Sequence, residues 1–439
     1  VSGPSDVLKW ASSERNRQQF SVESLALSDS KEWSLLNGRI VHESGRFFEV
    51  RGMEWVDARR DFVCSPFILQ PEVGILGVML MDRDGETRVL FDAKFEPGNV
   101  HGVDIAPCFQ ATKSNFEQAH GGAAPALSEI FLSEENWHTH VRQSEQGTRF
   151  LRKWNENVVV IADDDVEISQ SMRWCTLPEL SLLLRTSHML NTDARSVIAT
   201  SDWKLWFSPE EPPPLPHESR FSLALRKALV MPIQTNLEET ASQLLAKWAE
   251  DHTFDSLEVP LVSAPQGLRV DSSATVGDIG ISHHQVSADS RERASWDQPL
   301  IGGTRASQEV LLCTIRDGVP HFCFSPVSEI GLERPQFGNS ISTFDPARSQ
   351  PLDYSDSTSS RLINSSALMC SITQSDEGGR FNRQVVTYSI RFLGDSEPLA
   401  EMGSDAIWFS VSEVAHLSRL PGYFTNEART TISLIVGLL

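Results

Sequence analysis

The chain of 439 residues lacks most of the signatures that betray a cofactor. It has no GxGxxG turn, no Walker loop and no HExxH pair, so nicotinamide, P-loop and zincin chemistry have no visible anchor. Its six cysteines, Cys64, Cys108, Cys175, Cys313, Cys323 and Cys370, are scattered without CxxC spacing. That speaks against a zinc site or a disulfide framework and suits buried free thiols in a reducing cytoplasm. No apolar run approaches the ~18 residues of a membrane span, and no charged-then-apolar leader opens the sequence. Positive charge is scarce: 38 Lys and Arg face 59 Asp and Glu, a net charge of −21. Such a chain offers no broad cationic face for nucleic acid or an anionic membrane. A nucleotide, which needs only a local basic site, stays open.

What the sequence does contain is the same text twice. QSEQGTRF at 143–150 returns as QSDEGGRF at 374–381, and NTDARSVIAT at 191–200 is answered by TNEARTTISL at 425–434. Trp174 and Trp408 lie between the members of each pair. Upstream, GILGVMLMDRDG (74–85) and EVLLCTIRDG (309–318) are apolar runs ending in an Asp-Gly turn. Four matches in one order at nearly equal spacing indicate a duplicated domain, with a period longer than that of solenoid repeats. The expected organisation is a first repeat at 1–207, a linker at 208–220 and a second repeat at 221–439. Each repeat is long enough for its own core. The linker carries five prolines in SPEEPPPLPHESR and can be neither helix nor central strand.

Within each repeat the pattern is α+β. Residues 5–27 read as a helix and then an extended segment. Residues 39–55 alternate around a Gly turn, and 74–96 form two apolar runs across Arg83-Asp84-Gly85-Glu86; both predict hairpins. NVVVIADDD (157–165) predicts a buried strand. TLPELSLLLRTSHML (176–190) has helical spacing, with Thr176 as N-cap and Pro178 in the first turn. FSLALRKALV and ETASQLLAKWAED predict helices opening the second repeat. The Ser- and Asp-rich stretches 271–294 and 342–366 read as long loops.

At KFEPGNVHGVDIAPCFQATKSNF…HGG (94–122) the sequence becomes specific. Together with QSEQGTRFLRKWN, NTDARS, SWDQPL (295–300) and QSDEGGRF, it resembles the NDP-hexose 2,3-dehydratases of deoxysugar biosynthesis. The resemblance implies a tandem duplication of a Nudix-like mixed-sheet domain, a homodimer, and a nucleotide-linked 4-keto-6-deoxyhexose substrate, usually carrying dTDP. It implies antibiotic biosynthesis, with a partner ketoreductase taking the product. The implied reaction is a cofactor-independent lyase step: loss of the C3 proton to an enolate, then loss of the C2 hydroxyl as water; the missing zinc spacing and Nudix acidic box add the expectation that no metal is needed. A Nudix acidic box is absent, so pyrophosphate hydrolysis is not implied. In the second repeat AKFEPGN is replaced by SPVSEIGLERPQFGN, and PCFQATKSNF and HGG have no legible partner. The first repeat is therefore expected to hold the active site. Two other readings stay open. One is a diverged dehydratase or cyclase acting on a non-sugar carbonyl metabolite of natural-product biosynthesis. The other is a non-catalytic binding protein.

An elimination needs a base, an acid for the departing hydroxide and donors for the enolate. Glu96 and His120 are the candidate bases, the first beside Pro97-Gly98 and the second before Gly121-Gly122; His101 is a weaker third. Lys94 could hold the C4 oxygen or snorkel along its strand. Asn99, Gln110, Thr112, Lys113 and Asn115 are candidate substrate-binding groups, with Gln110, Thr112 and Ser114 on one strand face or on a polar edge. Arg149 and Arg152 suit a diphosphate. Alternatively Glu145 pairs with Arg149 in a structural turn. Arg195, Arg429, Asn191 and Asn426 should fix the terminal helices or line a dimer seam. Trp55 and Trp296, read as matching positions, either stack on a base ring or fill the core.

Overall fold

The computed structural model describes residues 3–112, 126–162, 166–208, 219–261, 279–291, 293–302, 306–394 and 405–439. The proposed linker falls largely outside them. One pairing scheme occurs twice. In the first half, the strands Trp137–Ser144, Trp154–Ala162, Gly74–Arg83, Glu86–Phe95 and Met172–Thr176 lie side by side, with Val103–Pro107 and Phe109–Thr112 added to the central pair. In the second half, Ala367–Ser375, Val385–Phe392, Ser307–Arg316, Val319–Glu329 and Ile407–Ser410 repeat the order, with Gln336–Asn339 and Ile341–Ser342 in the added positions. Each sheet has one parallel pairing at the same place, Trp154–Ala162 on Gly74–Arg83 and Val385–Phe392 on Ser307–Arg316. The architecture is mixed α+β.

Local chemistry sets these elements. Asp84 and Gly85 both take positive φ, as do Asp317 and Gly318. A two-residue turn of this hand matches strand twist, and only residues tolerant of the left-handed region supply it cheaply. Leu177–Leu184 begins with a capping box of Thr176 and Glu179, and Val411–Ser418 with one of Ser410 and Glu413. Asn191 caps Thr192–Thr200, and Thr425 caps Asn426–Gly437.

These last two helices pack on each other and are buried along their whole length. The contact is reciprocal: Arg195 donates to Ser433 Oγ at 3.1 Å, and Arg429 to Ser196 Oγ at 2.8 Å. Both guanidiniums lie within one chain, at the seam between its halves. A single hydrophobic cluster runs through that seam, from Val78, Val89 and Phe91 to Leu311, Phe322 and Phe324. So the halves share one core, and each also keeps a cluster of its own, around Met79 and Phe109 in the first and Leu312 and Ile341 in the second. The outer layers are exchanged as well. Phe20–Ser24 pairs with Gly280–Ala288, and Ser256–Val259 pairs with Glu49–Val56.

Two stretches read as loops contain regular structure. Gly280–Ala288 is a strand whose inward His283 bonds Asp297 at 2.8 Å, so a polar pair replaces the apolar alternation that marks strands. Ser357–Ser365 is a helix whose weak formers surround one buried anchor, Leu362. All six cysteines are free. No helix among the described residues is long and apolar enough to cross a membrane.

Candidate functional site

The strand Glu86–Phe95 carries Lys94 one residue before its end and turns through Glu96-Pro97-Gly98-Asn99. That turn docks on the second copy of the repeated motif. Gly98 N–H donates to Gly378 O at 2.7 Å, and Arg383 N–H donates to Gly98 O at 2.8 Å. A Cβ at position 98 would lie 1.7 Å from Phe381 O, so only glycine allows this approach. The opposite half shows the same docking. Gly331 N–H donates to Gly147 O at 2.7 Å, Arg152 N–H donates to Gly331 O at 2.8 Å, and Glu329 accepts from Gly147 N–H at 2.8 Å. Glu329-Ile330-Gly331 is thus the second half's counterpart of Glu96-Pro97-Gly98, a correspondence hidden in the sequence by the intervening changes.

The docking builds a cleft from both halves. Lys94, Glu96, Gln110, Thr112, Glu145, Lys153 and Asp193 come from the first half, and Arg291, Glu377 and Arg380 from the second. Lys94 Nζ lies 3.4 Å from Glu96 and donates to Gln110 Oε1 at 2.9 Å. Gln110 Nε2 passes the chain on to Asp193 at 2.5 Å. Arg291 Nη1 holds Glu96 Oε1 at 3.0 Å. Asn155 and Asn426 donate to the two oxygens of Glu145 at 2.6 and 3.2 Å. Glu145 therefore does not pair with Arg149, as one reading had it. One carboxylate oxygen of Glu377 is buried without a hydrogen-bond partner among the described residues.

The environments drive these carboxyls apart. Burial disfavours charge on Glu96, but Arg291 and Lys94 outweigh it and hold the group down at about 2. Burial raises Asp193, with Lys94 opposing. Burial and neighbouring acids raise Glu145 and Glu377. Burial lowers Lys153 against the pull of Glu145. A fixed anion beside carboxyls that hold their protons more tightly than usual is the division of labour that acid–base chemistry uses.

A second recess adjoins the first and shares Arg291 and Arg380 with it; its walls add Trp33, Phe47, Phe48, Trp296, Asp297 and Arg293, the last ion-paired to Glu32. Arg380 lies 4.3 Å over the Phe48 ring and donates to Gln70 at 3.2 Å. No ion pair among the described residues engages it.

Of the sequence candidates, Lys94, Glu96, Gln110 and Thr112 are brought together here. Asn99 is buried in the docked turn, its amide toward Gly102 O. His101 packs edge-on against His188, with ring centroids 4.8 Å apart. Arg149 pairs with Asp345 of the second half at 2.8 Å. Arg152 sits at positive φ in the other docked turn. Trp55 is buried, with its indole donating to Pro346 O at 2.8 Å. Trp55 and Trp296 do not match: Trp55 pairs with Val63 on the neighbouring strand, and Trp296 with Val286, so the two rings take opposite places in their hairpins. Lys113, Asn115 and His120 lie outside the described residues. Sequence reasoning missed Lys153, Asp193, Arg291, Glu377 and Arg380. The repeated motif was the available signal for Arg380, which stands in the second copy where Arg149 stands in the first.

The family model described as NDP-hexose 2,3-dehydratase matches residues 4–200 and 243–435. Among curated proteins, the chain is similar to dTDP-4-dehydro-6-deoxy-alpha-D-glucopyranose 2,3-dehydratases from three bacteria. Identity to the Amycolatopsis orientalis protein is 27% over 98% of this chain and 89% of the relative. For the Saccharopolyspora spinosa protein it is 27%, over 98% and 90%, and for that of Streptomyces violaceoruber 27%, over 97% and 95%. The match runs through both halves and includes the residues of the composite cleft, and the chain belongs to the NDP-hexose 2,3-dehydratase family.

Proposed function

We propose that the composite cleft carries out 2,3-dehydration of a dTDP-linked 4-keto-6-deoxyhexose. The observation that carries the reading is the position of Glu96. It is a fixed carboxylate between Lys94 and Arg291, next to a recess whose arginines suit a diphosphate and whose aromatic rings suit a base. In this scheme Glu96 takes the C3 proton, and the electron pair moves onto the C4 oxygen, where Lys94 meets the developing charge. The C2–O bond then breaks. The departing hydroxide takes a proton from a carboxyl whose proton affinity burial raises, Glu377 or Glu145, and leaves as water. The remaining enol tautomerises to the 3,4-diketo sugar. No hydride moves, so no nicotinamide is invoked.

Arg291, Arg293 and Arg380 would hold the diphosphate, since an acidic protein must gather cations locally to bind a dianion. Trp296 and Phe47 would face the base. His120, Lys113 and Asn115, next to the cleft in sequence, keep their proposed roles as acid–base and binding groups. The same reading takes the repeated pairing scheme as a tandem duplication of a Nudix-like domain in repeats 1–207 and 221–439. It also takes the protein as a cytoplasmic homodimer that passes its product to a ketoreductase in antibiotic biosynthesis.

Incubation of purified protein with dTDP-4-keto-6-deoxyglucose, followed by mass detection, tests the reaction. The expected result is a product lighter by one water. Intact substrate at high enzyme, with no exchange of the C3 proton for solvent deuterium, would remove this function.

A further inference from the structure

The second half builds a cleft of the same design, with Glu329 in the place of Glu96. In the paired strands Leu76 faces Gln110 and Glu309 faces Ser342, so Glu309 stands where the first half has Leu76. By the same registers, Val327 replaces Lys94. Following the repeated motif, Gln384 replaces Lys153. Glu427 takes the position of Asp193, the second residue after the helix cap. The cleft has lost two lysines, and its carboxylates are rearranged: Glu309 is added where Leu76 stands, while Gln146 takes the place of Glu377. Into it the chain inserts its own Arg348, only 5% exposed. The guanidinium meets Glu329 at 2.6 Å, Glu309 at 3.0 Å and Glu427 at 2.5 Å. The remaining cation, Arg149, is held by Asp345.

We propose that the second cleft is closed to sugar nucleotides and that Arg348 is its permanent internal occupant, leaving one ligand site per chain. Charge and shape agree on this. A three-carboxylate socket repels a diphosphate, and a planar guanidinium fills it with one nitrogen per carboxylate. The closure explains why Glu329 and Gly331 survive without lysine partners: they hold the turn that docks on Gly147, and so support the protein's symmetry. The proposal concerns the number of sites and rests on the substrate reading only for its choice of titrant.

Two measurements test it. The first is calorimetric titration of the wild-type protein with dTDP, expected to give one saturable site per chain that Arg380→Ala weakens at least tenfold. A second site of comparable affinity, untouched by Arg380→Ala, would overturn the proposal. The second needs no nucleotide. Arg348→Ala should melt well below wild type, and millimolar methylguanidinium should raise its melting temperature saturably while leaving wild type unmoved. If the variant folds only when methylguanidinium is present during refolding, the socket is shown by that route. A variant as stable as wild type, or one that methylguanidinium does not help, sinks the idea. Absence of any dTDP binding would remove the substrate reading, and the methylguanidinium result would then decide the occupancy of the second cleft by itself.

Discussion

The two clefts share a backbone and differ in what their charges are for. In the first, Lys94, Lys153, Arg291 and Arg380 stand among Glu96, Glu145, Asp193 and Glu377, and part of the cation set faces an open recess. In the second, Glu309, Glu329 and Glu427 converge on one buried guanidinium. Identical architecture therefore supports two outcomes, a set of groups poised around space and a set that satisfies itself. The difference also shows what duplication does to a site. Each glutamate turn docks on the other half's repeated motif, so neither half owns a complete cleft.

The sharpest way to break the comparison is to neutralise the two equivalent glutamates. Glu96→Gln should lower kcat by roughly a hundredfold or more, as expected for loss of a general base, with the circular dichroism spectrum unchanged. Glu329→Gln should leave a folded enzyme near wild-type kcat but with a lower melting temperature, because one arm of the buried Arg348 cluster is lost. If Glu329→Gln abolished turnover and Glu96→Gln did not, the assignment of clefts would be reversed.

The arginines of the repeated motif give the next contrast. Arg380→Ala should weaken dTDP binding by roughly tenfold to a hundredfold, the usual cost of a charge-assisted contact, with little change in stability. Arg149→Ala should bind normally and melt earlier, since it leaves the part-buried Asp345 without its ion-pair partner. Equal losses of affinity in both variants would place ligand in both clefts. A milder check is chelation. No group of three or more His, Cys, Asp or Glu fit to hold a metal occurs among the described residues, so activity should survive EDTA. Loss restored by Mg²⁺ would reopen hydrolase chemistry.

Much of this was legible in the residues. Asp84-Gly85 and Asp317-Gly318 announce their hairpins because few residues accept that backbone. Thr176 and Pro178 announce a helix start because N-terminal capping is local. Lys94, Glu96, Gln110 and Thr112 stand in the stretch that carries the resemblance, and paired strands bring them to one cleft. Arg149 read as a neighbour of Glu96, yet it pairs with Asp345 of the other half, because docking between halves is a long-range fact that sequence proximity does not carry. Arg291 was overlooked for the same reason: it comes from the other half and from a stretch that read as loop. The strand beside it hides its period because its inward His283 is satisfied by Asp297.

The last contrast is one of sign. Asp193 and Glu427 hold equivalent places at the starts of the paired helices. Burial pushes Asp193 up to about 6 from an ordinary 3.8, despite Lys94 and Lys153 nearby. Between those values the folded state holds a proton that the unfolded chain has released, so stability falls as pH rises through the window. At neutral pH the folded protein carries the cost of that buried charge. Asp193→Asn keeps an acceptor for Gln110 and removes the charge. It should raise the melting temperature at pH 7.5, by a stabilisation of about 1–3 kcal/mol, and the gain should vanish near pH 4. Glu427→Gln should do the opposite at pH 7.5, because its carboxylate is bound by Arg348 at 2.5 Å and an amide cannot replace that pairing. Thermal melts of both variants between pH 4 and 8 decide it. If both substitutions destabilise at neutral pH, Asp193 is as firmly paired as Glu427, and the first cleft is no less self-satisfied than the second.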